Sequence, residues 1–424
     1  MPETTNSPWV WQSQSWPTFP YDEPALAAPL ARARLTQGRL LGKAEAVGAQ
    51  GFVSALGELW TGEAVATAEI EGEKLNVDAV RSSVARRLGI ASSFAAAVPR
   101  DIEGLLDVME DAAARWDSPL TEERLCTWQA ALFPTGYSGL RRIEAGRFRS
   151  HPEPMQVVSG PVGHETLHYE APPSVAVRAE MRSFLDWFNR TRAVTAGGPA
   201  DGLVRAGLAH LWFEAIHPFE DGNGRIGRAV LDLALAQDAR LGHRLHGLSQ
   251  EFRDRQSEYY DRLNHAQRGS NDATSWLLWL LDAFEASCAR GAALIDESVA
   301  RARFWNEHKN IALTERQRKA LNRMLEAGPG RFEGGMTARK YAALTKTSGP
   351  TATRELVDLV QKALLVARGE DVRAAMNSRF PAGNGPLFQK RRNESEGETA
   401  SSWATSRHQR PVLGEGERHR RGKL

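Results

Sequence analysis

Two cysteines, Cys126 and Cys288, are all that the 424 residues contain. That scarcity excludes a disulfide framework and a cysteine zinc site and fits a reduced compartment, so the sequence predicts a cytoplasmic protein. Long apolar runs are missing too. The strongest, Trp276 to Phe284, is about half of what a bilayer crossing needs and already contains Asp282, which predicts no membrane span. The opening stretch MPETTNSPWVWQSQSWP carries no basic residue and no apolar core, so no secretory signal is expected. An excess of either charge is absent as well. With 54 Lys and Arg against 52 Asp and Glu the formal charge is +2, too mild to imply a nucleic-acid partner for the whole chain. Nor is there a G-x-x-x-x-G-K-[ST] stretch, which removes a P-loop.

What is present is a globular composition, 42% hydrophobic and 25% charged, on a chain long enough for two or three domains. The first 25 residues hold Trp9, Trp11, Trp16, Phe19 and Tyr21, a density of rings that predicts an extended segment pinned to the body by aromatic burial. From about Leu26 to Leu88 the apolar residues recur at helical spacing, and helices are expected again from about Ile102 to Trp187 and from Ser174 to about Arg290. One passage interrupts them: Met155 to Ser159 and Thr166 to Tyr169 are short β-prone runs around a Gly-Pro-Val-Gly turn, so a β-hairpin is predicted. With no sheet to join, such a hairpin is either a docking edge for an extended peptide or a surface loop.

Past Thr314, three helical periods with a Ser348-Gly349-Pro350 turn before the third outline a helix-turn-helix or winged helix. The stretch from about Gln389 to Leu424, rich in Arg, Glu, Ser and Gly, is expected to be disordered. The reading is thus a mainly α protein with four parts: residues 1–100 with the aromatic segment, a central 101–300, a 310–370 winged-helix-like module and a 389–424 tail.

The chemistry concentrates in residues 217 to 228, HPFEDGNGRIGR. GNGRIG matches the dinucleotide fingerprint G-x-G-x-x-G in form. It lacks the context, because helical spacing lies on both sides (Leu203, Leu208, Leu211 before; Ile226, Val230, Leu233 after) where a strand and a distal acidic residue belong. What remains is a glycine turn opening a helix, aiming the backbone N–H groups of Gly222, Asn223 and Gly224 at one spot that the helix dipole makes favourable for an anion. Arg225 and Arg228, three apart, share a helix face and can grip neighbouring phosphates. Asp221 is a hard oxygen ligand suited to Mg²⁺ bridging phosphates. His217 has the ordinary pKa of a base for a hydroxyl. Any one of these is commonplace; together in twelve residues they make a phosphoryl- or nucleotidyl-transfer site.

These residues resemble the Fic family motif H-x-F-x-[DE]-G-N-G-R-x-x-R at every specified position, Phe219 included. Residues 67 to 72, TAEIEG, resemble the family's inhibitory motif [ST]-x-x-x-E-[GN] in the arrangement where the inhibitory helix precedes the catalytic core, and the hairpin resembles the family's flap. The resemblance implies a Fic-type helical core and AMP transfer from ATP to a Ser, Thr or Tyr hydroxyl of a target protein or of the chain itself. In that case His217 is the base and Asp221 holds Mg²⁺. Asn223 with the amides of Gly222, Gly224 and Gly227 steadies the α-phosphate, Arg225 and Arg228 hold the phosphates, and Tyr259 and Tyr260 fall where relatives line the adenine pocket. It further implies that Thr67, Glu71 and Gly72 form an inhibitory segment in which Glu71 takes Arg228, and that Met155, Gln156, Val157 and Val158 dock the target. Relatives of this arrangement are often dimers. Two other readings stay open: related Fic chemistry, including other donors or removal of AMP, and a nucleotide-sensing DNA-binding regulator using Arg339, Lys340, Lys346 and Arg354.

Overall fold

Helices form where the apolar residues recur every three or four positions, and local chemistry sets their ends. The computed structural model describes residues 9–47, 49–90, 98–159, 164, 166–192, 201–269, 271–327, 335–367, 374–376 and 409–411. Contacts divide the chain into two units: residues 1–43, 56–292 and 395–424 make the first, and 44–55 and 293–394 the second.

The elements run α1 (Glu23–Ala46), α2 (Ala49–Ile70), α3 (Val77–Arg87), α4 (Arg100–Ala114) and α5 (Glu122–Leu132), after a short 3-10 turn at Val10–Gln12. Then come the strands β1 (Tyr137–Ser138), β2 (Arg141–Arg142), β3 (Met155–Ser159) and β4 (Thr166–Glu170). The helices α6 (Ser174–Arg190), α7 (Gly202–Ile216), α8 (Asn223–Ala239), α9 (Leu248–Asp254), α10 (Gln256–Ala266) and α11 (Thr274–Glu307) follow. The second unit adds α12 (Glu315–Ala327), α13 (Ala338–Thr345), α14 (Gly349–Gln361), β5 (Leu365–Ala367) and β6 (Ala374–Met376), and β7 (Gln409–Pro411) returns to the first.

Side-chain caps mark several starts. Asn76, Thr121 and Asp201 each accept a first-turn backbone N–H, of Ala79, Arg124 and Leu203 respectively, satisfying donors that the helix itself cannot. The centre of the first unit is α7, whose residues from Leu203 to Ile216 are all buried, Arg205, His210 and Glu214 among them. It packs on α8, where a Cβ on Gly227 would collide with Glu214, and on α11, where Gly207 leaves room for Leu277 and Leu280 and its carbonyl accepts the Trp276 indole N–H at 2.9 Å. The helix α2 is tied to this centre by a buried acid: Glu63, 1% exposed, accepts the Ser249 N–H at 2.8 Å and pairs with Arg244, which also grips Asp232 on α8.

The aromatic N-terminal segment lies on the body as read, with Trp9, Val10 and Phe19 buried. Three sequence readings change. The hairpin β3–β4 is not alone, because β7 pairs antiparallel with the other edge of β3 (Met155 with Pro411, Val157 with Gln409) to give the order β4-β3-β7. A second small hairpin, β1–β2, breaks the expected run of helices; a two-residue ladder around Gly139-Leu140 is too short to leave an alternating pattern. The tail expected to be disordered lies outside the described residues apart from β7, which forms a strand.

In the second unit α12, α13 and α14 close on a core of Phe304, Leu321, Met324, Tyr341, Leu356 and Leu365. Ser348 caps α14 as its Gly349-Pro350 start demands, and β5 pairs antiparallel with β6.

Candidate active site

α7 ends at His217, which takes the left-handed conformation (φ 51°), and α8 begins after Gly222, also left-handed (φ 86°). Only glycine adopts the second without strain, and a Cβ there would press on Phe133, so the tight turn needs Gly222 for two separate reasons. Between them Phe219 is wholly buried against Phe148, ring centroids 5.3 Å apart, and pins the loop to the core.

The Asn223 side chain closes this loop: its Oδ1 accepts the Phe219 N–H at 2.9 Å and its Nδ2 donates to the Phe219 carbonyl at 2.8 Å. It therefore acts as a staple, and what it and Gly224 can offer an anion is backbone N–H at the first turn of α8. The Gly222 N–H already donates to Asp221 Oδ1 at 2.6 Å.

His217 is 4% exposed, and among the described residues its Nε2 has no hydrogen-bond partner. Burial, with the nearby Arg149 guanidinium, pushes the imidazole down to about 4, against a hydrogen bond to the Glu214 backbone and the Glu71 charge. The ring is thus neutral at physiological pH and able to accept a proton. Arg149, which the sequence reading did not single out, braces it: Nε donates to the His217 carbonyl at 2.8 Å, and Nη2 to the carbonyls of Pro172 at 2.6 Å and Ile216 at 3.3 Å.

Arg228 is 3% exposed and its Nε and Nη2 are directed at α2: Nε to Thr67 Oγ1 at 2.7 Å, Nη2 to the Thr67 carbonyl at 3.0 Å and to Glu71 Oε1 at 2.8 Å. Burial opposes its charge, but Glu71 outweighs that and holds the guanidinium above its ordinary pKa. The Glu71 carboxylate also lies against Gly224, where a Cβ would strike Oε1. Its oxygens thus sit at the helix N-terminus, where the dipole favours negative charge.

Gly72 (φ 80°) ends α2 in the left-handed conformation that the [GN] of the motif requires. The turn sends Glu73 back to Arg225, whose Nη1 it meets at 3.0 Å while the guanidinium rests over the Phe133 ring at 5.0 Å. Glu73 escaped the sequence reading because its reach depends on that turn. Both arginines of the motif are therefore capped by carboxylates two residues apart.

Asp221 could contribute an oxygen to a metal. Among the described residues no group of three or more His, Cys, Asp or Glu could hold an ion, and a hard cation such as Mg²⁺ commonly takes one or two carboxylates together with phosphate oxygens. One carboxylate oxygen takes the Gly222 N–H and the other the Ser138 hydroxyl of β1, so Ser138 orients it.

The two tyrosines part company. Tyr259, 2% exposed, stacks on Phe252 (4.6 Å) and its hydroxyl meets His210 Nε2 at 2.9 Å, a core position. Tyr260 is partly buried and donates to the Ile70 carbonyl at 3.1 Å, where Gln256 Nε2 also donates at 3.0 Å. The predicted docking residues Met155 to Val158 lie along β3, beside β7.

Residues 119–235 match the Fic/DOC family and residues 9–90 match a domain of unknown function, DUF4172. The chain carries a Fic/DOC-family domain. A probable protein adenylyltransferase of Aquifex aeolicus is 29% identical over 102 residues, 24% of this chain and 28% of the relative. A protein adenylyltransferase of Caenorhabditis elegans is 31% identical over 148 residues, 35% of this chain and 25% of the relative. The matched stretches thus span about a quarter of each curated relative. A crystal structure of a Fic family protein from Desulfovibrio desulfuricans covers 84% of this chain and 97% of its own, at 22% identity and a TM-score of 0.47. No described helix of this Fic-domain chain is long and apolar enough to cross a membrane.

Burial fixes a pH response. His210 and His246 are pushed down by burial to about 3, and His217 to about 4. In the unfolded chain all three titrate near 6.5, so below that pH the unfolded state binds more protons and stability falls as pH drops, by up to about 1.4 kcal/mol per unit for each histidine. The melting temperature is expected to drop steeply between pH 6.5 and 4.5; a thermal-shift series that stays level over that window would contradict it.

Proposed function

We propose that the protein is an autoinhibited protein adenylyltransferase, moving AMP from ATP to a hydroxyl of a target protein or of itself. One observation carries the reading: a helix N-terminus and two buried arginines are filled by the chain's own carboxylates next to a neutral imidazole with an unpartnered Nε2. The curated relatives named protein adenylyltransferase support the same reaction.

With Glu71 and Glu73 withdrawn, Arg228, Arg225 and the first-turn amides of α8 receive the triphosphate. The acceptor hydroxyl gives its proton to His217 Nε2 as its oxygen bonds to the α-phosphorus. The bond from that phosphorus to the bridging oxygen breaks, and pyrophosphate leaves. Asp221 would hold Mg²⁺, which supplies charge neutralisation on the phosphates. Catalysis then rests on placement and charge rather than on covalent participation. The hairpin β3–β4 docks the acceptor by strand addition along Met155 to Val158, the edge that β7 holds in this structure and would have to give up. For residues 310–370 we infer a winged-helix-like outline from the order α12, α13, α14 and the pair β5–β6.

The direct test incubates Glu71→Gly protein with Mg²⁺ and an equimolar mixture of ATP, GTP, CTP, UTP and CDP-choline, and reads the adduct by mass spectrometry. AMP on a Ser, Thr or Tyr is expected; a different group, or none, refutes the reading. Glu73 has its own consequence. Its pair with Arg225 is half exposed and so worth only about 0.5–1 kcal/mol, and Glu73→Gln should tighten ATP binding roughly two- to fivefold by calorimetry, with no change marking the pair as incidental.

A further inference from the structure

A strand edge that is meant to accept a partner must be held still, and its opposite edge must be closed, or strands add on the wrong side. In the hairpin the closing is done by the N-terminal arm. The indole N–H of Trp11 donates to the Glu170 carbonyl of β4 at 2.8 Å. Arg268 Nη2 donates to the carbonyls of His168 at 2.9 Å and Leu167 at 3.4 Å, and its guanidinium lies over the Trp9 ring at 4.9 Å. Trp9 in turn meets the buried Tyr169 ring edge-on, centroids 5.4 Å apart. Three carbonyls of β4 are thus taken by side chains, and none of these side chains can pass the pairing on to a further strand.

The arm is itself anchored along its length. The Val10 N–H donates to the Gln267 carbonyl at 2.9 Å, Trp16 Nε1 to Glu180 at 2.9 Å, and Asn271 Nδ2 to the Thr18 carbonyl at 3.2 Å. From the hairpin the connection reaches the base. Tyr169 donates its hydroxyl to the Ala215 carbonyl at 2.7 Å, two residues before His217, while Arg149 bonds the carbonyls of both Pro172 and His217. On the far side, β3 carries β7, so the edge left by this arrangement does accept a strand.

We propose that residues 9–19 are a clamp on the hairpin. Trp9, Trp11 and Arg268 close the outer edge of β4 and fix the hairpin to the helix end that bears His217, so that an extended acceptor segment adds only along β3, in the place that β7 takes in this structure, and in register with the base. This rests on the reading of the hairpin as the acceptor-docking element. It gives the DUF4172 region, residues 9–90, work at both ends of the reaction: the arm acts on the acceptor side and α2 on the arginines that meet the donor. Trp9, Trp11 and Arg268 are positioning residues that act through β4 and Tyr169.

The test uses the full chain with Trp11→Phe, which keeps a ring and removes the indole N–H, combined with Arg268→Ala at an exposed site. Amide exchange in residues 155–159 and 166–170 should speed up at least about tenfold while α7 and α8 exchange as in the wild type. In the Glu71→Gly background, self-modification should fall about tenfold with the ATP dissociation constant unchanged within about twofold. Hairpin exchange within about twofold of wild type overturns the clamp, and so does faster exchange spread equally over α7 and α8, or self-modification that does not fall. Should Glu71→Gly protein transfer nothing at all, the adenylyltransferase reading fails, and the exchange measurement still decides whether the arm holds the hairpin.

Discussion

Glu71→Gly is expected to raise AMP transfer about 5- to 150-fold over the wild-type chain, the range that 1–3 kcal/mol of coupling between an inhibitory contact and a ligand produces. The carboxylate occupies both features assigned to the triphosphate in the proposed reaction, the Arg228 guanidinium and the first turn of α8, so removing it opens the two together. The measurement is the intact mass of purified protein after incubation with ATP and Mg²⁺. Arg228 keeps its two bonds to Thr67 but loses its countercharge in a buried setting, which is destabilising, so the variant should melt below the wild type without nucleotide. ATP should then restore more of its stability than it adds to the wild type, because at a given ligand concentration the added stability grows as the dissociation constant falls. Equal labelling of the two proteins would remove Glu71 from any inhibitory role.

His217→Ala in the Glu71→Gly background is expected to lower transfer by a factor of about 10²–10⁴, the usual worth of a positioned base, while ATP affinity stays within about twofold. The split follows from placement. His217 belongs to the end of α7, whereas the phosphate-binding groups belong to α8, so the substitution touches proton removal and leaves the anion seat intact. The imidazole, pushed down to about 4, is largely neutral above about pH 5, and removing Glu71 takes away a charge that raises it, so the Glu71→Gly protein should show no loss of rate from this group between pH 8 and 5. Retained transfer in the double variant would show that the hydroxyl loses its proton elsewhere.

The parts legible in sequence are those where one local segment carries the whole signal. The twelve residues from His217 to Arg228 fold into a single helix–turn–helix connection, and the four-residue spacing of Thr67 and Glu71 puts both on the Arg228 side of α2. The strands β3 and β4 announce themselves by β-branched and aromatic residues around a turn. What was hidden arrives from elsewhere in the chain. Ser138 reaches Asp221 from a ladder of two residues, Arg149 reaches His217 across 68 positions, and Glu73 reaches Arg225 only because Gly72 bends left-handed. Asn223 was legible in position but not in use, since its amide pairs with Phe219 in a geometry that exists only once the loop is closed. Tyr259 and Tyr260 are adjacent in sequence and still differ, because one faces the rings of Phe252 and Trp276 and the other the end of α2.

That end of α2 has one more property. Its Ile70 carbonyl is caught by two fingers of α10, Gln256 and Tyr260, and just beyond it Glu71 and Glu73 ride on the same few residues. A slide of a single helical turn, about 5.4 Å, would empty both arginine seats in one stroke, and the fingers would have to open first. In the proposed autoinhibited enzyme the trigger for such a stroke therefore need not resemble a nucleotide: anything that gives the Tyr260 hydroxyl and the Gln256 amide another oxygen to hold would unlatch it from its back.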